Sequence, residues 1–177
     1  IAGHWVERPE RRHLYDELVK DARSPVFLLG APGSGKSALL AQVAEDLRGE
    51  GWHLVTVKAD QVPSDLRSDG DLLRWLGLPG NTPARAVAEL ARKCERVAVF
   101  IDQLDALASL VDLHTARLTL LMRLLRAAAA APSVRVVASV RVFEANYDPE
   151  LRALLSSERG TRPVKIRLGP LPEAAVT

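Results

Sequence analysis

Cysteine is almost absent from this chain: Cys94 stands alone, so no internal disulfide can form. The four histidines, His4, His13, His53 and His114, are too scattered to suggest a metal cluster. Neither sign of charge dominates. With 24 basic and 22 acidic residues interspersed, the net charge is +2, which gives no broad footprint for nucleic acid or an anionic membrane. Long apolar runs are missing too: the most apolar segment, Leu118 to Ala131, is interrupted by Arg123 and Arg126 and is shorter than the roughly 20 residues a bilayer-spanning helix needs. No signal peptide is expected, and no internal repeat or low-complexity tract stands out apart from Ala127 to Ala131. A reducing, cytoplasmic setting is therefore expected, with no membrane and with nucleic acid disfavoured as a partner. The 177 residues fit one domain, 1–177. The chain starts at Ile1 and stops after GPLPEAAVT, so it is expected to be a domain excised from a larger protein.

What is present is an alternation of apolar runs and helical patterns. Arg8 to Arg23 has helical spacing, and Ser37 to Arg48 carries Leu39, Leu40, Val43, Ala44 and Leu47 on one side before Gly49 and Gly51 stop it. Pro83 to Cys94, Leu113 to Ala130 and Pro149 to Ser156 read as further helices, the first with Thr82 as candidate N-cap. Val26 to Leu29, Trp52 to Val57, Val97 to Ile101, Val134 to Ser139 and Val164 to Leu168 read as strands. Residues 59 to 82, cut by Pro63, Gly70, Pro79 and Gly80, read as loop with a short helix around Leu72 to Leu76. Strands separated by helices predict an α/β fold with a parallel sheet covered on both faces.

Between the first strand and its helix lies GAPGSGKS, which satisfies G-x-x-x-x-G-K-[ST] in the context that gives the pattern its meaning. Chance alone would produce it in roughly one chain of this length in a couple of hundred, before the flanking strand and helix are required. Gly30, Gly33 and Gly35 let the backbone curl so that successive N–H groups point inward and cradle the β-phosphate at the positive end of a helix, which makes Gly30, Ala31, Pro32, Gly33, Ser34, Gly35, Lys36, Ser37 and Ala38 the expected nucleotide-binding residues. Lys36 is placed to reach β- and γ-phosphate oxygens, and the Ser37 hydroxyl to ligand Mg²⁺.

A second element, VAVFIDQLDAL, is an apolar strand ending in Asp102, the position from which a P-loop protein holds the magnesium shell. The next residue is Gln103, which can orient a water and cannot accept its proton at neutral pH; many hydrolysing P-loop ATPases have glutamate there. Asp105 either polarises the water instead or caps the helix that follows. A third element, VRVVASVR, delivers Ser139 and Arg141 at a strand's carboxyl end, where open parallel sheets bind ligands. Arg141 either contacts the γ-phosphate or is a surface arginine on a loop.

These three elements together resemble the STAND class of signal-transducing ATPases, relatives of the AAA+ proteins that include apoptotic, plant-immune and bacterial defence or regulatory switches. The opening HWVERPERRHLYDEL is similar to the motif that precedes the first strand in that class, with Glu7 in place of its glycine and Pro9 in place of its glutamate. The resemblance implies a nucleotide-adjacent role for Arg8 with Trp5 and Val6. It implies a three-layer P-loop NTPase of the ASCE type, with a five-stranded sheet of order 5-1-4-3-2 that brings Arg141, Asp102 and Lys36 around one γ-phosphate. It also implies ATP, ADP and Mg²⁺ as cofactors, a winged-helix domain downstream, sensor and effector domains in the full protein, and self-association through the ATPase domain.

On this reading the chain is a slowly hydrolysing switch, closed with ADP and open and oligomerising with ATP. A second reading is an AAA+ ATPase of DNA transactions, which would need a basic groove and a recognisable trans arginine. A third is a small-molecule kinase with residues 59 to 82 as a lid, although only Arg67 and Arg74 lie there.

Overall fold

The computed structural model describes residues 8–20, 24–107, 115–143, 149–156 and 162–170. Five strands form one sheet: β1 (Val26–Gly30), β2 (His53–Lys58), β3 (Val97–Asp102), β4 (Val134–Arg141) and β5 (Val164–Leu168). Every pairing is parallel and the order is β2-β3-β4-β1-β5, the predicted order read from the other edge. Among the described residues the helices that flank it are α1 (Pro9–Val19), α2 (Lys36–Gly49), α3 (Asp69–Trp75), α4 (Pro83–Lys93), α5 (Thr115–Ala130) and α6 (Pro149–Leu155). Short 3-10 turns follow β2 (Ala59–Gln61) and β3 (Leu104–Leu107). Among the described residues no helix is long and apolar enough to cross a membrane.

The two-residue period of a strand sorts the core into two layers. Phe27 and Leu29, with Val97, Val99 and Ile101, face a cluster completed by Leu90 of α4 and Leu121, Leu124 and Leu125 of α5. Val26 and Leu28, with Ala98, Phe100 and Val137, face the opposite cluster, where Leu14 and Leu18 of α1 meet Leu39, Val43 and Leu47 of α2. Burying the sheet on both faces explains why β1 and β3, inside the sheet, are buried throughout and apolar up to Leu29 and Ile101. Arg11 forks onto Asp46 at 2.8 Å and clips α1 to α2. From β4, Arg135 donates to the carbonyls of Leu18 and Lys20 at 3.2 Å each, satisfying acceptors at the end of α1 that have no helical partner.

Three local expectations change. The strands run further than their apolar runs, to Gly30, Asp102 and Arg141, because the parallel ladder continues through Gly30↔Arg141 and Lys58↔Asp102. Thr82 has extended backbone at the start of α4 but makes no side-chain cap. The cap signal lies elsewhere: α3 starts at Asp69, where Ser68 and Asp71 form a reciprocal capping box, and the sequence S-D-G-D carries that pattern openly.

Candidate functional site

The ends of β1, β3 and β4 meet at the carboxyl edge of the sheet, and the loop between β1 and α2 wraps over them. Gly33 and Gly35 have φ of 72° and 86°, the left-handed region in which a side chain is strained, so the curl depends on glycine there. Gly30 serves a different purpose. A Cβ added to it would lie 2.5 Å from Ser34 Oγ and 3.3 Å from the Leu168 carbonyl oxygen, so the loop packs onto β5 through a bare α-carbon. Ala31, Pro32, Gly33 and Ala38 are exposed, while Ser34 and Lys36 are buried.

Lys36 Nζ turns back into the loop and donates to the Gly30 carbonyl at 2.9 Å and the Ala31 carbonyl at 2.8 Å. A buried ammonium is thereby held beside the first turn of α2. No side chain caps that helix, whose leading N–H groups are therefore available to an anion. Ser34 Oγ is buried without a hydrogen-bond partner. An uncapped helix start, a held cation and an orphaned hydroxyl suit a phosphate group.

The strand register places the acidic end of the site. Asp102 follows Ala98 and Phe100 on the α2 face of β3, and Ser139 follows Val137 on the same face of β4. The two meet side by side: Ser139 Oγ donates to Asp102 Oδ1 at 2.5 Å, and the Gln103 backbone N–H donates to Ser139 Oγ at 2.8 Å. Gln103 has φ of 55°, the one left-handed non-glycine residue among those described. Asp105 is 1% exposed, and its Oδ1 accepts from the Arg141 backbone N–H at 2.9 Å. Its Oδ2 lies 3.2 Å from Arg141 Nε, an ion pair set off the line of a directed hydrogen bond. Arg141 is thus fastened to Asp105 rather than loose on a surface loop, and Asp105 is fastened to β4.

Two cavities share the loop. One, of about 370 Å³, is lined by Pro32, Gly33, Gly35, Lys36, Ser37 and Ala38 on one side and by Gln103, Asp105 and Arg141 on the other. The second, of about 590 Å³, has Ser37 and Asp102 on its wall and continues over Leu40, Phe100 and Lys58 to Trp75. A hydroxyl and a carboxylate on one wall are the hard oxygen donors that magnesium takes when phosphates complete its shell. Among the described residues no group of three or more His, Cys, Asp or Glu could hold a metal without such help.

Arg8 is not part of either cavity. Its Nη1 donates to the Gly169 carbonyl at 3.3 Å, just beyond β5, and it lines a groove with Arg11, Arg12 and Asp46. Trp5 and Val6 lie outside the described residues. The arginines of the supposed lid are engaged locally, Arg67 with the Ser64 carbonyl at 2.6 Å and Arg74 with Asp71 at 3.3 Å. Ser139 is the contributor that sequence reasoning left without a role; the signal was a lone hydroxyl in an apolar strand.

The family described as novel STAND NTPase 1 matches residues 10–165. Among solved structures, the chain is similar to a Walker-type ATPase of Pyrococcus abyssi, with 13% identity and a TM-score of 0.62 over 96% of this chain. It spans 55% of that ATPase. No protein of curated function matches it in sequence.

Proposed function

The chain belongs to the novel STAND NTPase 1 family, and on that premise we propose that residues 30–37 bind ATP and ADP with Mg²⁺, that ATP is hydrolysed there slowly, and that nucleotide state works a signalling switch. The observation that carries this reading is the gathering of Lys36, Ser37, Gln103, Asp105 and Arg141 around one cavity at the carboxyl edge of the sheet.

The chain's own groups divide the work. The loop N–H groups and α2 hold the β-phosphate, and Lys36 exchanges its two carbonyl acceptors for phosphate oxygens. Ser37 and Asp102 would hold magnesium, which would supply positive charge to the phosphates. Gln103 orients the attacking water. Asp105 polarises it from a carboxylate that Arg141 holds in place.

Arg141 reports on the γ-phosphate. A ligand shifts a switch only by its differential affinity for the two states, so ATP and ADP must differ in what they offer Arg141 and Lys36. In this reading ADP favours a closed monomer and ATP an open form that self-associates, with sensor and effector domains belonging to a longer protein. Calorimetry tests the base of the proposal. Mg²⁺·ATP should bind the wild-type chain, and Lys36→Ala should abolish binding; unchanged affinity in the variant would overturn it.

A further inference from the structure

Ser139 sits in the middle of the apolar run VVASV and is 0% exposed. A hydroxyl in such a place is tolerated only when its hydrogen-bonding capacity is used. Here the direction of both bonds is fixed by chemistry. A backbone N–H can only donate, so Ser139 Oγ accepts from Gln103 at 2.8 Å, and its single hydrogen goes to Asp102 Oδ1 at 2.5 Å. That second bond commits one oxygen of the Asp102 carboxylate and fixes the plane of the group. Asp102 lines the same cavity as Ser37.

The same hydroxyl holds the peptide nitrogen of Gln103, whose φ of 55° is unusual for a side-chain-bearing residue. One atom of β4 therefore sets both the carboxylate at the end of β3 and the backbone turn that aims the next side chain. We propose that Ser139 is a positioning residue: it orients Asp102 toward the magnesium shell and Gln103 toward the phosphate cavity, so that cation affinity depends on how β4 lies against β3. This rests on the nucleotide and magnesium reading given above. Outer partners of metal-holding groups act in this way generally, and their loss weakens metal affinity by about 10- to 100-fold.

The test uses the whole chain and a fluorescent ADP analogue, with binding measured in EDTA and then across a Mg²⁺ titration. Ser139→Ala should raise the Mg²⁺ concentration for half-maximal enhancement by about tenfold, while affinity in EDTA changes by less than about twofold. Ser139→Thr, which keeps the hydroxyl, should restore the wild-type response. In an Asp102→Asn background, Ser139→Ala should add no further shift, because its target is gone. The proposal is overturned if Ser139→Ala leaves the Mg²⁺ dependence unchanged, or if it weakens binding equally with and without Mg²⁺. A wild-type chain that binds no nucleotide at any Mg²⁺ concentration would instead overturn the nucleotide reading itself.

Because a threonine methyl has little room at a fully buried site, a measurement on the wild-type chain gives an independent decision. The Gln103 amide should resist hydrogen exchange as strongly as its neighbours in β3. Exchange at the rate of an open loop would remove the bond on which the proposal stands.

Discussion

Arg141 holds Asp105 at two points, its backbone N–H 2.9 Å from Oδ1 and its Nε 3.2 Å from Oδ2. The contact crosses from the end of β4 to the turn after β3, and both residues line the phosphate-side cavity. A carboxylate engaged at both oxygens is held in one orientation toward that cavity.

Asp105→Asn keeps an oxygen for the Arg141 N–H and removes the charge. Phosphate release should fall by about 10²-fold, the typical contribution of a positioned acid or base, with ATP affinity nearly unchanged. Parallel loss of turnover and binding would show Asp105 to be purely structural. Kinetics of turnover beside calorimetry separate the two.

Gly30→Ala should destabilise the chain by about 1–3 kcal/mol through overpacking, since the new methyl meets Ser34 Oγ and the Leu168 backbone. Nucleotide binding should weaken with it. Gly49→Ala is the control: nothing lies within 4 Å of its Cβ position, so that variant should be neutral or stabilised by up to about 1 kcal/mol. Urea denaturation of the two variants gives the comparison.

Asp71 has a definite acid signature. Its carboxyl is held below the usual 3.8, first by the Ser68 hydroxyl and then by the Arg67 N–H. A depressed folded pKa adds stability above the ordinary value and loses it as pH falls through the folded one. Asp71→Asn should therefore be less stable than wild type at neutral pH, with the gap closing below pH 3.8. Urea midpoints at neutral pH and in acid would show it, and a gap independent of pH would refute it.

Gln103→Gly should keep stability within about 1 kcal/mol of wild type, because relief of the left-handed backbone offsets the added chain entropy. Gln103→Val should cost about 1–3 kcal/mol, a β-branched residue being least suited to that φ. Thermal unfolding distinguishes them.

How much of this could be read from the sequence follows from distance along the chain. GAPGSGKS and the aspartate closing VAVFID are contiguous patterns with a strand or helix on each side, so their chemistry is visible locally. The strand order is not local, and it was reached through resemblance rather than through hydrophobic spacing. Ser139 meets Asp102 only because β3 and β4 are adjacent and in register, Ile101 opposite Ala138. No spacing rule shows that pair. The turn at Gln103 was equally hidden, since glutamine carries no preference for left-handed backbone. The α3 capping box is legible in S-D-G-D, but Gly70 beside it reads as a breaker and masks the helix start. Arg8 is a motif position legible in the sequence, and what the sequence does not show is its partner, the Gly169 carbonyl just beyond β5.

The two outer strands of the sheet also bear on how copies of the chain could meet. β5 carries exposed Lys165 and Arg167, and β2 carries exposed His53, Thr56 and Lys58. Lys165 and Arg167 on one outer strand and Lys58 on the other repel a second edge of the same kind and discourage ribbon-to-ribbon annealing. The same charges that keep these strands soluble at their margins thus work against open-ended ribbon growth between copies of the sheet.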